Sequence, residues 1–292
     1  MKILLKQFKL FLEFFLVYLI FIFLSLLPIN LVSNIGGLVL KFFGPFTNAH
    51  KTAISNYKRI FKNISENEIN KNVLKSWENL GKTIFELSIL EKIVDKKNNK
   101  IVLSGLENIK SITESNEQVI FFSIHQSNWE ILLPVIDQLG ISTGAIYRHI
   151  NNRFINNLIL KKRNRSLNTR NSFYTPKGIK SAKDIIAAIN KNLSILLLID
   201  QKDSAGEIVK LFNISAKTQT GFIKIARKNK LKLIPIQNSR NKNNFTIRFC
   251  KPIEIIQNDF NDCEAMLYIH KIIEKWIVEN PTQWFWQHNR FN

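Results

Sequence analysis

The sequence predicts an α/β protein in which helices flank a mostly parallel central sheet, preceded by an N-terminal membrane-anchoring helix. Three observations predict this fold. The first residues are strongly apolar, short apolar runs then alternate with segments of helical periodicity, and polar side chains follow several of the apolar runs. Alternation of strands and helices is typical of a parallel sheet covered on both faces.

The N-terminal segment at residues 8–27 reads FKLFLEFFLVYLIFIFLSLL and carries charges only at Lys9 and Glu13. It is just long enough to cross a bilayer. Pro28 and Asn30 stand where a signal peptide would need small residues, so we expect an uncleaved anchor. Residues 31–46 extend the apolar surface and predict a second, interfacial helix, which divides the chain into an anchor at 1–46 and a main domain at 47–292.

The remaining chain predicts a regular series of elements. A capped amphipathic helix is expected at 65–94, since apolar residues recur there at intervals of three and four. Beyond it the pattern alternates. We expect strands at 118–124, 142–147, 193–199, 231–237 and, at an edge of the sheet, 244–250; helices are expected at 129–139, 152–165, 178–191, 218–229 and 261–279.

Charge and composition limit the function classes. The chain has 292 residues and a formal net charge of +20, which attracts nucleic acid, an anionic bilayer, an acidic carrier protein or a phosphorylated substrate. A composition rich in Lys, Asn and Ile accounts for part of this surplus. Cys250 and Cys263 form no CxxC motif and the five histidines form no HxH or HxxxH pair, so neither a disulfide framework nor a metal site is predicted. The two cysteines fit a reducing compartment.

Polar groups follow three of the predicted strands. His125 follows the first, Tyr147 and Arg148 end the second, and Asp200 follows the third. Because ligands bind at the carboxyl ends of parallel strands, we expect these side chains to meet at one edge of the sheet.

His125 and Glu130, in the stretch FFSIHQSNWE, are the candidate catalytic pair. A carboxylate at this distance can fold back on the imidazole, fix its tautomer and stabilise the imidazolium of a general base. Taken alone, the spacing is more typical of a histidine that bonds locally at a strand end. The chain has no GxSxG nucleophile motif, so direct attack by a substrate hydroxyl is the simpler mechanism.

HQSNWE resembles the H-x4-D/E block of the lysophospholipid acyltransferase superfamily, and in particular its branch of lipid A biosynthesis lauroyl and myristoyl acyltransferases. Three further blocks resemble that branch in order: IYRHINN at 146–152, LLLIDQKDSAGEIVKLFNISAKTQTG at 196–221, and NPTQWFWQHNRF at 280–291. His149, Arg153 and Asn213 depart from the family pattern near the region expected to shape the acceptor site.

The resemblance implies transfer of a fatty acyl chain from acyl carrier protein to a hydroxyl of a phosphorylated lipid A precursor. It implies the cytoplasmic face of the bacterial inner membrane, with no metal or other cofactor. His125 would be the base and Glu130 its orienting partner. Arg148 would bind the oxyanion or a substrate phosphate, or simply be a solvated surface side chain. Asp200 would be a supporting or arginine-pairing carboxylate, or an ordinary cap.

Tyr147, Asn152 and Gln201 complete the expected substrate-binding set through their positions in the family blocks. The tryptophans near the C-terminus predict core packing, with interface anchoring as a second use.

Two alternatives stay open at this stage. An acyltransferase for a lysophospholipid or another glycolipid would use the same His and Glu. A basic membrane-binding protein without catalysis is more distant, because the basic run LKKRNRSLNTR at 160–170 lacks the interleaved aromatic residues of a nucleic-acid surface; no nucleic-acid partner is therefore predicted.

Overall fold

A twisted, mostly parallel sheet runs through the centre of the protein. The computed structural model describes residues 2–169, 171–254 and 260–291. Within them the strands are β1 (Ile101–Ser104), β2 (Val119–Ser123), β3 (Thr143–Tyr147), β4 (Phe173–Pro176), β5 (Ser194–Leu198), β6 (Glu207–Leu211), β7 (Ile214–Thr218), β8 (Lys232–Asn241) and β9 (Asn244–Phe249). The central sheet has the order β1-β9-β8-β2-β5-β3-β4, and β6 and β7 form a separate antiparallel hairpin.

Neighbouring strands of the central sheet are parallel except for β8 and β9, which form an antiparallel pair. The middle strand β2 has the sequence VIFFS and is buried along its whole length. Such a continuous apolar run is what a strand covered on both faces requires. The predicted fold class is confirmed.

Helices cover both faces of this sheet, and several of them precede its first strand in the chain. They are α1 (Lys2–Ser25), α2 (Ile29–Phe43), α3 (Asn48–Ile60), α4 (Glu66–Glu86), α5 (Leu90–Val94), α6 (Lys110–Ser115), α7 (Leu132–Gln138), α8 (Arg153–Arg165), α9 (Ile179–Asn190), α10 (Gly221–Lys228) and α11 (Asp262–Glu279). Ser65 caps α4 by accepting a hydrogen bond from the Glu68 N–H, as its sequence predicts.

The predicted edge position of the strand at 244–250 is wrong. β9 lies inside the sheet, between β1 and β8. The sequence does not reveal β1 because IVLS is four residues long and only partly buried, so it lacks the apolar run of a central strand. The four-residue strand β4 at the other edge and the five-residue strands of the β6–β7 hairpin are also only partly buried, and the sequence does not predict them.

The helix α2 packs closely on α4 at a pair of glycines. A Cβ on Gly36 would lie 2.5 Å from the Gly81 carbonyl oxygen, and a Cβ on Gly81 would clash with the Gly36 carbonyl. The two backbones therefore touch, as only glycine permits at both positions. This contact joins the apolar N-terminal helices to the helix that supports the site described below.

A buried ion pair lies at the end of the same contact. Glu86 at the end of α4 accepts two hydrogen bonds from Arg240 in β8, at 2.6 and 2.8 Å, and one from Ser33 in α2, at 2.7 Å. Burial alone would raise the pKa of Glu86, but attraction to Arg240 and these hydrogen bonds hold it below its ordinary value. Glu86 also accepts from Asn128, in the loop after β2, at 2.8 Å. The pair thus anchors that loop.

We predict that Glu86→Met lowers the free energy of unfolding by about 3–5 kcal/mol, because it leaves the Arg240 guanidinium buried without its counter-charge. Denaturant unfolding followed by circular dichroism measures the loss. The double variant Glu86→Met, Arg240→Met removes both charges and is expected to recover part of it. A single variant as stable as the wild type would contradict this assignment.

Candidate active site

The loop after β2 is held against the C-terminal tail. Ser127 N–H donates to the Gln283 carbonyl at 3.0 Å, and Phe285 N–H donates to the His125 carbonyl at 2.9 Å. Ser127 adopts a left-handed conformation with φ of 56°, and its carbonyl accepts from Asn79 and Thr83 of α4. Two elements distant in sequence therefore fix the backbone on which His125 stands.

Asp200, at the end of β5, is the carboxylate that contacts His125. It is 3% exposed. Its Oδ1 accepts from the His125 Nδ1–H at 2.7 Å, and its Oδ2 accepts from the His125 backbone N–H at 3.0 Å and from Trp284 Nε1–H at 2.7 Å. Burial raises the pKa of Asp200, but attraction to the His125 ring and these donors outweigh burial, so the pKa lies below its ordinary value.

This contact determines the tautomer of the imidazole. Since a carboxylate only accepts, Nδ1 carries the proton and Nε2 is free to accept one. The Nε2 atom receives the side-chain amide of Gln201 at 3.2 Å. Trp129 meets the ring edge-on, with 5.1 Å between centroids, and Phe285 lies beside it. The unprotonated Nε2 of His125, with Asp200 bonded to Nδ1 and two aromatic rings beside the imidazole, can act as a general base.

Glu130 does not take the orienting position that its spacing predicts. Its two carboxylate oxygens accept from Arg163 Nε and Nη2, both at 2.7 Å, and one also accepts from Trp129 Nε1. The loop turns at Ser127 and continues into a 3₁₀ turn at Trp129–Ile131, which directs Glu130 toward α8. The expected His125–Glu130 pair is therefore corrected to His125–Asp200, and Glu130 belongs to an ion pair in the cavity wall.

The structure also gives Asn152 a different place from the substrate-binding one that the sequence predicts. Its Oδ1 caps α8 by accepting from the backbone N–H groups of residues 154 and 155, and its Nδ2 donates to the Leu10 carbonyl and to Glu13 of α1. These bonds use the amide on both sides, so Asn152 fastens α1 to α8. It lies outside the cavity lining among the residues that the structure describes.

A cavity of about 800 Å³ opens beside His125. It lies where β3 and β5 separate, because their pairing ends at Ala145 and Leu196. Of the predicted residues it is lined by His125, Glu130, Tyr147, Arg148 and Gln201. Arg148 is exposed at its mouth, while Asp200 lies behind the imidazole.

Part of the cavity lining is mostly apolar, and we call this part the apolar groove. It follows α9, α10 and the end of β5, and its lining includes Ile185, Ile186, Ile189, Leu197 and Ile225. From Ser181 to Asn190 the groove follows α9 for about 14 Å. The lining also includes the Glu130–Arg163 pair, in which the guanidinium lies over the rings of Tyr147 and Tyr174.

Sequence reasoning missed three contributors to the site. Arg163 belongs to the basic run 160–170, whose last residue lies outside the described residues, and no spacing rule connects it to Glu130. Trp284 was predicted as core packing, yet it donates to Asp200. His288, whose pKa burial lowers to about 4, accepts the Lys202 N–H and is therefore neutral. The repeated tryptophans and histidine of the C-terminal block were the available signal.

Comparison with known protein families identifies the family of this chain. A sequence model of the family described as bacterial lipid A biosynthesis acyltransferases matches residues 2–292, essentially the whole chain. The chain belongs to the bacterial lipid A biosynthesis acyltransferase family. The suspected family is confirmed, and the general activity that follows is acyl transfer.

Among solved structures, the chain is similar to the 1-acyl-sn-glycerophosphate acyltransferase PlsC from Thermotoga maritima. The two share 14% identity with a TM-score of 0.41, over 84% of this chain and 97% of that one. Comparison with curated proteins gives no match.

We predict that Asp200→Asn lowers kcat of this acyltransferase by about 10²–10⁴-fold, since an amide can hold the wrong tautomer of His125. Glu130→Gln, the matched control, keeps the His125–Asp200 contact and is expected to lose much less. Steady-state kinetics with circular dichroism as a folding check measure both. An equal decrease of kcat in the two variants, or a larger decrease in Glu130→Gln, would indicate that Glu130 orients His125.

Proposed function

We propose that this acyltransferase moves a fatty acyl chain from an acyl carrier protein thioester to a hydroxyl of a lipid A precursor, as a late acylation step. The observation that carries the proposal is the His125–Asp200 pair at the mouth of an apolar groove. A thioester is already activated, so the protein must supply a base, a site for the chain and stabilisation of the oxyanion.

The reaction follows from the tautomer. His125 Nε2 takes the proton of the acceptor hydroxyl while that oxygen forms its bond to the thioester carbonyl carbon. Asp200 stabilises the imidazolium. When the tetrahedral intermediate collapses, the carbon–sulfur bond breaks and the His125 proton passes to the departing thiolate, which regenerates the base. The Gln201 amide and Arg148 are our candidates for donors to the oxyanion.

The apolar groove would hold the acyl chain. An extended hydrocarbon advances about 1.3 Å per carbon, so the 14 Å along α9 hold roughly ten methylenes. Each methylene withdrawn from water contributes about 0.8 kcal/mol before ordering is counted. The isoleucines of this wall are suited to a flexible apolar chain.

Positive charge at the mouth favours anionic partners. Arg148 and Lys177 are exposed residues of the cavity lining, and Lys177 also pairs with Asp203 at 3.7 Å. Arg148 can therefore meet a phosphate of the acceptor directly, and Lys177 can do so by exchanging this partner. The net charge of +20 favours an acidic carrier protein and an anionic membrane, so the cytoplasmic face of the inner membrane is the proposed location.

Purified protein incubated with a C12 or C14 acyl carrier thioester and a tetra-acylated lipid A precursor is expected to add one acyl chain, seen as a mass gain. His125→Ala is expected to lose at least about 10³-fold in rate while it keeps its membrane binding, because only the base is removed. Transfer to a lysophospholipid in preference to the lipid A precursor would overturn the acceptor assignment. Full activity of His125→Ala would overturn the mechanism.

The groove yields a separate prediction about chain length. Ile225→Trp adds bulk to the α10 wall and is expected to shift kcat/KM toward shorter acyl thioesters by about tenfold or more, whereas Ile225→Leu, of equal volume, is expected to leave the preference unchanged. Competition between two thioesters of different length measures the shift. An unchanged preference in the Trp variant would place the chain elsewhere.

A further inference from the structure

A buried arginine near the end of the chain has no part in the mechanism proposed above. Arg290 is 1% exposed. Its guanidinium donates to the Lys217 carbonyl at 2.8 Å and to Thr218 Oγ1 at 2.6 Å, and both acceptors belong to β7. Its Nε–H has no hydrogen-bond partner among the residues that the structure describes. A charge this deeply buried is costly unless an opposite charge compensates it.

Arg290 differs from two other arginines near the site because it lacks a carboxylate contact. Arg163 and Arg240 each bind a buried carboxylate, at 2.7 and 2.6 Å, whereas Arg290 forms no ion pair within the described part of the chain. Burial lowers the pKa of Arg290 to about 10, and attraction to Asp200 opposes this lowering. Arg290 is therefore charged at neutral pH, and Asp200 is an anion on which its charge acts.

The C-terminal tail holds the turn that follows β5 at two points. Trp284 Nε1–H donates to Asp200 Oδ2 at 2.7 Å, and His288 Nε2 accepts from the Lys202 N–H at 2.9 Å. Gln201, whose amide contacts the imidazole of the site, lies between these two anchored residues. The tail therefore fixes the backbone on both sides of Gln201.

Arg290 reaches the same turn through the β6–β7 hairpin. The Lys217 carbonyl that accepts from Arg290 also accepts from the Asp203 N–H, at 3.2 Å. Asp203 is only three residues beyond Asp200, and three residues span at most about 11 Å even when fully extended. The guanidinium therefore lies near the Asp200 carboxylate without touching it.

Asp200 has no cation in contact with it while the imidazole is neutral. It is 3% exposed, and its hydrogen bonds come from the ring and backbone of His125 and from the Trp284 indole. These donors carry no charge until the ring accepts a proton. A cation that is near but out of contact, as Arg290 is, compensates the anion without displacing the ring.

The other groups near the imidazole that can carry charge are paired, neutral or exposed to water. They are the pairs Glu130–Arg163 and Lys177–Asp203, the neutral His288, and the exposed Arg148 and Lys228. Burial lowers the pKa of His288 to about 4, which keeps it uncharged. Burial also lowers the pKa of His270, on α11, to about 4, so this histidine adds no charge beside Arg290.

We propose that Arg290 is a positioning residue of the acyl-transfer site and acts through Asp200. Its guanidinium stabilises the Asp200 anion while the imidazole is neutral, and it opposes a second positive charge on the His125 ring. The ring is thereby kept unprotonated, as a base that must accept a hydroxyl proton requires. This role rests on the proposed function, in which His125 is the base.

Titration of the histidine ring tests the proposal without any acyl transfer. Nitrogen-15 NMR of histidine-labelled protein follows the His125 ring as the pH is lowered, in the wild type and in Arg290→Gln. The ring of Arg290→Gln is expected to take up its proton at a pH about 0.5–1 higher, because no cation then opposes the imidazolium. Circular dichroism checks the folding of each variant.

Two variants of Thr218 separate the charge of Arg290 from its hydrogen bonds. Thr218→Val removes the acceptor of one bond and keeps the charge, so its ring is expected to titrate as in the wild type. Thr218→Asp places a carboxylate against the guanidinium and is expected to shift the titration upward, as Arg290→Gln does. It tests the same charge in a chain that retains Arg290, whether or not Arg290→Gln folds.

The pH dependence of acyl transfer provides the second measurement. Since only the unprotonated ring accepts a proton, the acid limb of kcat/KM is expected to move to higher pH in Arg290→Gln, by the same amount as the NMR titration. A purely structural role would lower the rate at every pH and leave the limb in place.

A titration that is unchanged in Arg290→Gln and in Thr218→Asp, or one that shifts equally in Thr218→Val, would overturn the proposal. Failure of the proposed function has a different signature. If the NMR titration shifts as expected but no acyl chain is added to the lipid A precursor, the acceptor assignment is wrong and the action of Arg290 on the imidazole stands.

Discussion

The carboxylate of Asp200 joins three parts of the chain that are far apart in sequence. It accepts hydrogen bonds from the backbone and ring of His125 after β2, and from the Trp284 indole in the C-terminal tail, while itself standing at the end of β5. A carboxylate this deeply buried is stable as an anion only with such partners. The same bonds that keep Asp200 ionised therefore orient the imidazole, close the tail over the site and leave Nε2 facing the cavity.

Two other buried carboxylates near the site are paired separately. Glu130 is neutralised by Arg163 and Glu86 by Arg240, each through a bidentate contact. These two carboxylates therefore bind arginines. Asp200 is the anion in direct contact with the His125 ring. The Glu86 pair also links α2, α4 and the loop at Asn128, so the second N-terminal helix and the loop that follows His125 share one buried network.

The sequence was informative where hydrophobic burial decides structure. An apolar run such as VIFFS, which is buried on both faces, indicates a central parallel strand. The carboxyl ends of such strands lie at the same edge of the sheet. His125, Tyr147, Arg148 and Asp200 were found in this way. The pairing of His125 with Glu130 failed because a left-handed residue at Ser127 redirects the chain, and spacing rules assume a regular backbone. The contact with Asp200 spans 75 residues and follows no local rule. Acyl chain length and the accepted hydroxyl depend on cavity walls built from several elements, which a linear pattern does not encode.

The tautomer of His125 tests the central role of Asp200 most directly. Nitrogen-15 NMR of histidine-labelled protein, with His125 assigned through the His125→Gln variant, separates protonated from unprotonated ring nitrogens. The expected result is a protonated Nδ1 and a bare Nε2 in the wild type and in Glu130→Gln, and a loss of this preference in Asp200→Asn. A bare Nδ1 in the wild type, or a tautomer that changes with Glu130 and not with Asp200, would contradict it.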